Sequence, residues 1–487
     1  MQRRSGLLVS VLALGAIVLA LLPGSAVGGS AAKNYVVVLD GQATSTGFDL
    51  AGTRLAVDTL VASAGGTVVS DLARQIGVLV VRSANESFDE LMRGSALVAD
   101  AGEDWSWQGI PASVPGGGPQ PSADPLEAPQ WDMQQIRTEQ AHAVQAGSRA
   151  VDVGVLDSGI DGRHPDFLGG DGTSNVDCMR GRNSLAALPP GVGVGTPDPC
   201  TDNQFHGTHV AGTIGARANG IGIVGVAPNV TLVPVKVCDS SGYCYVSAVV
   251  DGITYAGDAQ LDVINMSFFV DDNAFQESHE FKCSSDPVQK TFRHAVERAI
   301  DYARSRGVTP VAALGNSDQD LAHPVGDDGQ PIANECDVVP AETQGVIGTM
   351  ALGSRSEKAG YSNYGSGMTD VAAPGGNGTT GDCTKTVLST IPGGLYVCIQ
   401  GTSMASPHAT GVAALIVSQF GTLGTDGDVK MPPQKVEDYL QGTTIDIGLP
   451  GYDECFGNGR IDALRAVMHD TASAYDAAAP SCPEYAE

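Results

Sequence analysis

Residues 151–161 read VDVGVLDSGID. A short aliphatic run ends on Asp157, and Ser158-Gly159 turns the chain away behind it. Four later stretches have the same character: TLVPVKV (231–237), DVINMSF (262–268), VTPVAAL (308–314) and GVIGTMAL (345–352). Runs this rich in Val, Ile and Leu suit strands covered on both faces, which is the situation of parallel sheets. Helical patterning falls between them. Across Gln289 to Arg306, Phe292, Ala295, Val296, Ala299, Ile300 and Ala303 recur at helical spacing. Strands alternating with helices predict an α/β fold with a mostly parallel sheet. In such sheets, binding and chemistry gather at the carboxyl ends of the strands.

The strand ends carry reactive residue types. Asp157 closes the first run, where a carboxylate either points into a cleft or caps the turn. FHGTHVAGTI (205–214) puts His206 and His209 at the start of a small-residue helix. Their spacing of three lacks the Glu and the spacing of four of the HExxH zinc pattern. Structural histidine and general base therefore remain as the main readings. Asn316 follows VTPVAAL in ALGN, where its amide could donate to a developing oxyanion or simply serve the turn. In GTSMASPHATGVAALIVSQF (401–420), small apolar residues from Ala405 onward predict a buried helix, with Pro407 in its first turn. Ser403 then lies at the helix N-terminus, where free N–H groups favour negative charge. Ser406 lies a turn further in. His408 faces another side, so a base for Ser403 must come from elsewhere. The order Asp157, His206, Ser403 is one of the known orders of a Ser-His-Asp triad.

The rest of the chain sets the context. It has 487 residues and a formal charge of −28. That acidity disfavours nucleic acid, which needs a basic face, and favours a soluble, self-repelling protein. Arg3 and Arg4, the apolar Leu7 to Leu22 and the small residues to Ala32 read as an export signal over 1–32. No later run is long enough to span a bilayer, so no membrane association is expected once the signal is removed. All ten cysteines lie between Cys178 and Cys482. In an exported chain an even count predicts disulfides, and proximity suggests 178–200, 238–244, 283–336, 383–398 and 455–482. Residues 33–108 form a cysteine-free block. YVVVLD (35–40) and IGVLVV (76–81) read as strands, 54–64 and 88–93 as helices, and Ser87 with Glu90 as a capping box. GIPASVPGGGPQPSADP, with five prolines and four glycines, marks residues 109–130 as a linker.

At VLDSGI, HGTHVAGT, LGN and GTSMASPH the chain resembles the subtilisin-like serine proteases, the subtilases. The resemblance spans about Trp131 to Met468, with 469–487 as a tail. It implies a three-layer subtilisin-like α/β fold, with residues 33–108 as a small α+β, ferredoxin-like inhibitory propeptide. It implies a secreted, monomeric serine endopeptidase made as a zymogen and self-processed, acting on polypeptides and held by its own propeptide. Ser403 would be the nucleophile, His206 the base and Asp157 its orienting carboxylate. Asn316 and the Ser403 N–H would form the oxyanion hole. Ser267, Phe268, Phe269, Leu314 and Gly315 would bind substrate. Phe269 and Leu314 stand where the family has smaller residues, which predicts a reshaped specificity pocket. No cofactor is expected for the chemistry. A structural calcium ion is expected on Asp166 and Asn219, with Glu127 and the carbonyls of Arg217, Ile221 and Ile223 completing an oxygen shell. The resemblance leaves a scavenging protease and a dedicated maturation protease equally open. An inactive protease-like binding module is the rival from another class, and the intact Asp, His, Ser and Asn set argues against it.

Overall fold

The structure is a computed structural model describing residues 31–44, 47–50, 52–111, 130–193, 195–269, 286–325, 330–331, 337–425, 427–480 and 482. The signal segment, Glu127, most of the linker and the expected Cys283–Cys336 pair lie outside the described residues.

The N-terminal block contains β1 (Lys33–Leu39), α1 (Arg54–Ser63), β2 (Gly66–Leu72), β3 (Val78–Ser83), α2 (Phe88–Arg93) and β4 (Val98–Glu103). Its sheet runs β2-β3-β1-β4 with all pairings antiparallel, the ferredoxin-like order expected. Val37, Leu39, Val57, Val61, Leu79, Val81, Phe88 and Met92 form its own core between sheet and helices. The capping box does not form. Ser87 is the N-cap of α2, but its ψ of 17° turns it from the extended geometry of a capping residue, and its side chain makes no capping bond. At the end of the block, β5 (Ser106–Trp107) leaves this sheet and joins the larger domain.

The larger domain opens with α3 (Trp131–Gln135) and β6 (Asp152–Asp157). There follow β7 (Arg182–Asn183), α4 (His206–Gly215), β8 (Thr231–Lys236), β9 (Cys244–Tyr245) and α5 (Val246–Asp258). Next come β10 (Val263–Met266), α6 (Pro287–Ser305), β11 (Thr309–Ala313), β12 (Ile347–Leu352) and β13 (Val371–Pro374). The hairpin β14 (Val387–Ile391) and β15 (Leu395–Ile399) precedes the long α7 (Thr402–Phe420). The central sheet runs β13-β12-β11-β10-β6-β8-β7 with parallel pairings. Every residue of β6, β8, β10, β11 and β12 is buried, because α5 and α6 cover one face and α4 and α7 the other. This is the three-layer fold read from the aliphatic runs.

Local chemistry sets the element ends. α6 starts two residues earlier than its apolar periodicity, because the Asp286 carboxylate accepts from the N–H groups of Val288 (2.8 Å) and Gln289 (3.0 Å), with Pro287 following it. Phe292, Val296 and Ile300 on its inner stripe are fully buried, each contributing about 1.5–3 kcal/mol. α7 starts earlier than expected, at Thr402, so Pro407 sits beyond the first turn rather than within it. Proline cannot donate to the carbonyl four residues back. That carbonyl belongs to Ser403, and the Ser267 hydroxyl donates to it instead (2.9 Å). Four of the five expected disulfides are formed: 178–200, 238–244, 383–398 and 455–482. Among the described residues, no helix is long and apolar enough to cross a membrane.

Candidate active site

β6 delivers Asp157 and α4 begins on His206, so one strand end and one helix start meet. Both side chains are buried, and His206 Nδ1 lies 3.0 and 2.9 Å from the two Asp157 carboxylate oxygens. A carboxylate only accepts, so Nδ1 carries the proton and Nε2 presents its lone pair. Nε2 is buried without a hydrogen-bond partner among the described residues. The backbone N–H of Ser158 donates to Asp157 Oδ1 (2.8 Å). Gln204 Oε1 accepts from the His206 N–H (2.7 Å), fixing the start of the helix.

A second carboxylate, missed in the sequence, stands behind this pair. Asp202 accepts from the Ser158 hydroxyl (3.0 Å), the Gln204 N–H (2.9 Å), the Thr208 N–H (3.0 Å) and the Thr208 hydroxyl (2.6 Å). Ser158 Oγ in turn accepts from the Gly207 N–H (3.0 Å). Asp202 thus ties the turn after β6 to the first turn of α4. Burial raises its carboxyl above the usual range, and the Thr208 bonds oppose that. The sequence carries no mark of it: Asp202 stands four residues ahead of His206 and is not the capping residue of α4, and its partners meet only on folding. His209 is a buried structural histidine. It is fully buried, its Nε2 faces the Val397 carbonyl (3.2 Å), and burial pushes its pKa down to about 3.

Ser403 lies in the first turn of α7 and is 8% exposed. Its Oγ donates to the Ser267 carbonyl (3.0 Å), not to His206. Ser267 and Ser403 are therefore bonded in both directions. Asn265, at the end of β10, braces them: it donates to Ser267 Oγ (2.9 Å) and accepts from Ser406 (2.9 Å) and Thr410 (3.0 Å). Ser406 is thus a buried structural hydroxyl. His408 Nε2 faces Asp132 Oδ2 of α3 (3.0 Å), while Nδ1 donates to the Met404 carbonyl (2.7 Å).

Asn316 follows β11. Its Oδ1 accepts from the Thr402 N–H (2.9 Å) and hydroxyl (3.0 Å), which fixes the amide with its NH2 on the other side. Gly315 has φ +103°, and a Cβ there would meet Asn363 Nδ2 at 2.6 Å, so the turn into Asn316 requires glycine. Phe268 is 2% exposed and Phe269 partly buried. Leu314 does not line an open pocket. It follows β11 and is fully buried in the core shared with Ala312 and Met350, where its Cδ2 would lie 3.0 Å from a Cβ on Gly348.

The candidate calcium residues come together in part. Asp166 is fully buried; its Oδ2 accepts from the Ile223 N–H (2.9 Å), and the Tyr396 hydroxyl and the Asn219 amide interact with the carboxylate. Its Oδ1 is buried without a partner among the described residues, and burial pushes the carboxyl up to about 7. An orphaned carboxylate oxygen fits a hard cation. Asn219 fits less well: its Oδ1 accepts from the Ile221 N–H (3.1 Å) and its NH2 donates to the carbonyls of Pro165 (3.2 Å) and Leu168 (2.9 Å). The Arg217 carbonyl accepts from the Asn219 N–H (2.8 Å).

The end of the N-terminal block lies along this site. β5 pairs antiparallel with β9, Trp107 opposite Cys244 and Ser106 opposite Tyr245. The Ile110 N–H donates to the Gly242 carbonyl (3.3 Å), and Gln204 Nε2 donates to the Pro111 carbonyl. Asp104 accepts from the N–H of Ser247 in the first turn of α5 (3.0 Å). The block's sheet rests on α6 through Asp100, which pairs with Lys290 (3.0 Å) and His294 (2.8 Å), and through Arg298, which donates to the Leu39 carbonyl (2.9 Å).

A parallel three-layer sheet, with an Asp–His pair at one strand end and a serine at a helix N-terminus beside it, defines a serine peptidase architecture. Residues 148–459 match the Subtilase family of peptidases. Subtilisin NAT of Bacillus subtilis subsp. natto is 32% identical over 338 residues, 69% of this chain and 71% of that protein. A subtilisin of Bacillus pumilus is also 32% identical over 338 residues, 69% of this chain and 98% of its own length. The solved structure of the epidermin leader peptide processing serine protease of Staphylococcus aureus superposes with a TM-score of 0.67 at 21% identity, covering 91% of this chain and 100% of that one. The chain belongs to the subtilase family, and it is a subtilisin-like serine endopeptidase.

Proposed function

We propose that this endopeptidase is exported, is made with residues 33–108 as an inhibitory block, and cuts that block away itself. The observation that carries the reading is the end of the block, where Ser106–Trp107 pairs with β9 and the chain runs on to Pro111, whose carbonyl accepts from Gln204, two residues before His206. In the proposed reaction, Ser403 exchanges its bond to the Ser267 carbonyl for one to His206 Nε2. As Oγ attacks the scissile carbonyl carbon, its proton passes to Nε2. Asp157 holds the imidazole in the Nδ1–H tautomer and stabilises its charge. The tetrahedral oxyanion takes the Asn316 NH2 and the Ser403 N–H, one such donor contributing about 3 kcal/mol. The imidazolium then protonates the leaving amine, and water releases the acyl group by the same route in reverse. Ser267, Phe268, Phe269 and Gly315 flank the bound polypeptide, and the mature enzyme acts as a secreted monomer.

A calcium ion would be held by Asp166, with carbonyls from the Arg217–Ile223 loop, and would neutralise the buried carboxylate. It would stabilise the fold and take no part in the reaction. The test of the main reading is labelling with a serine-directed fluorophosphonate. The processed protein should be labelled at Ser403 and the Ser403→Ala protein should not. An unlabelled processed protein, or labelling at another residue, overturns it.

A further inference from the structure

The sequence of the polypeptide that the cleft accepts is limited, on the protease reading above, by the strand that lies in it. Trp107 to Pro111 passes between two walls. On one side is β9 with its turn, held by the Cys238–Cys244 disulfide. On the other is the backbone after β10, at Phe269. The register is fixed by the Trp107–Cys244 pairing and by the bond from the Ile110 N–H to the Gly242 carbonyl.

Between these points lies Gly109. A Cβ built on it would stand 2.2 Å from the Phe269 carbonyl oxygen, 3.2 Å from the Phe269 nitrogen and 3.2 Å from Cys244 Sγ. The obstacles are backbone and a cross-linked sulfur, not the far end of a flexible side chain. The strand therefore fits only with glycine there, and the demand is one of space. The opposite wall makes a matching demand: a Cβ on Gly242 would lie 2.5 Å from the Ile110 carbonyl oxygen. By contrast, Gln108 is exposed and its side chain reaches only the Ser241 carbonyl at 3.4 Å.

We propose that Phe269 and the disulfide-held Cys244 form a glycine gate, so that this protease selects polypeptides carrying glycine at the bound position that Gly109 occupies. Specificity then comes from exclusion: the gate rejects any side chain at one position and leaves its neighbour Gln108 free.

The test uses the processed full-length product and synthetic peptides spanning residues 104–116, with Gly109 replaced by Ala or Val and, separately, Gln108 replaced by Ala. Forcing a methyl group into a packed site typically weakens binding enough to lower kcat/KM by at least about tenfold. The Ala and Val peptides should show that loss, and the Gln108→Ala peptide should stay within about threefold of the parent. Inside the precursor, Gly109→Ala should slow removal of the block by at least about tenfold, and Gln108→Ala should not. Equal cleavage of the Gly, Ala and Val peptides by an enzyme that fluorophosphonate labels at Ser403 would overturn the gate and leave the protease reading standing. Failure to label Ser403 would overturn both.

Discussion

Asp132 and His408 give the sharpest test of how the Ser403 helix is held. Both side chains are 0% exposed, and they join α3 to α7 across 276 residues of chain. His408 sits five residues past Ser403, so the pair fixes the helix that carries it. Asp132→Ala removes one partner and leaves a buried imidazole facing an emptied site. Removing one member of a buried pair costs about 3–5 kcal/mol, because the remaining group keeps its desolvation penalty. In a domain of this size each kcal/mol moves the melting temperature by about 2 °C, so the expected fall is about 6–10 °C. The assay is calorimetric or circular-dichroism melting at pH 7 in a Ser403→Ala background, which removes self-digestion from the signal. His408→Leu alone should also destabilise. The double variant should melt no lower than the worse single, since the two residues are coupled. A fall of less than about 2 °C for Asp132→Ala, or fully additive losses, would refute the reasoning.

Ser403→Ala and His206→Ala should each fold, be exported and keep the block from about residue 33, whereas Ser406→Ala should process normally; intact mass and N-terminal sequencing decide this, and a processed Ser403→Ala protein would assign the cut to another protease. Chelation should lower the melting temperature of the processed enzyme, and Asp166→Ala should abolish that response; a melting curve indifferent to both would remove the calcium site. Asp262 is buried, and its carboxyl is pushed up to about 8 from 3.8 by burial, against the Asp152 N–H bond that lowers it. It therefore binds its proton more tightly folded than unfolded. The stability it contributes is full below about pH 4 and is lost as pH rises through 8. Asp262→Asn should leave melting at about pH 3 nearly unchanged and raise it progressively more from pH 5 to pH 9; equal shifts at all three pH values would refute the assignment.

The central sheet was legible because its strands are covered on both faces, and that leaves continuous aliphatic runs in the sequence. β2 and β4 were not, for a related reason. β2 is largely part-exposed, with only Leu72 buried, and β4 mixes Asp100 and Gly102 into its run. Neither presents a period that distinguishes it from loop. At the site, Asp157, His206, Asn316 and Ser403 were readable because each stands at a strand end or helix start. Asp202 and Asp132 were not, because what they do depends on groups folded against them: Asp132 meets His408 only in the tertiary structure. The full burial of Leu314 was not legible either, because it depends on the helices and strands packed around the end of β11. Pro407 was misplaced by assuming that the helix began at Ala405, when the Ser267 hydroxyl lets it begin earlier and still carry a proline.

The pairing of β5 on β9 also bears on how molecules of this protein behave toward one another. While the N-terminal block is attached, Ser106–Trp107 covers the hydrogen-bonding edge of Cys244–Tyr245. Once the block leaves, that edge carries unpaired N–H and C=O groups of the sort that invites strand-to-strand aggregation. Its length limits the hazard, since only two residues pair before the chain turns at Gly242 on one side and enters α5 on the other. An extended chain can dock there one at a time, but copies cannot stack into a growing sheet. The chain's net charge of −28 works in the same direction, since self-repulsion opposes edge-to-edge contact between copies while leaving the edge open to passing polypeptides.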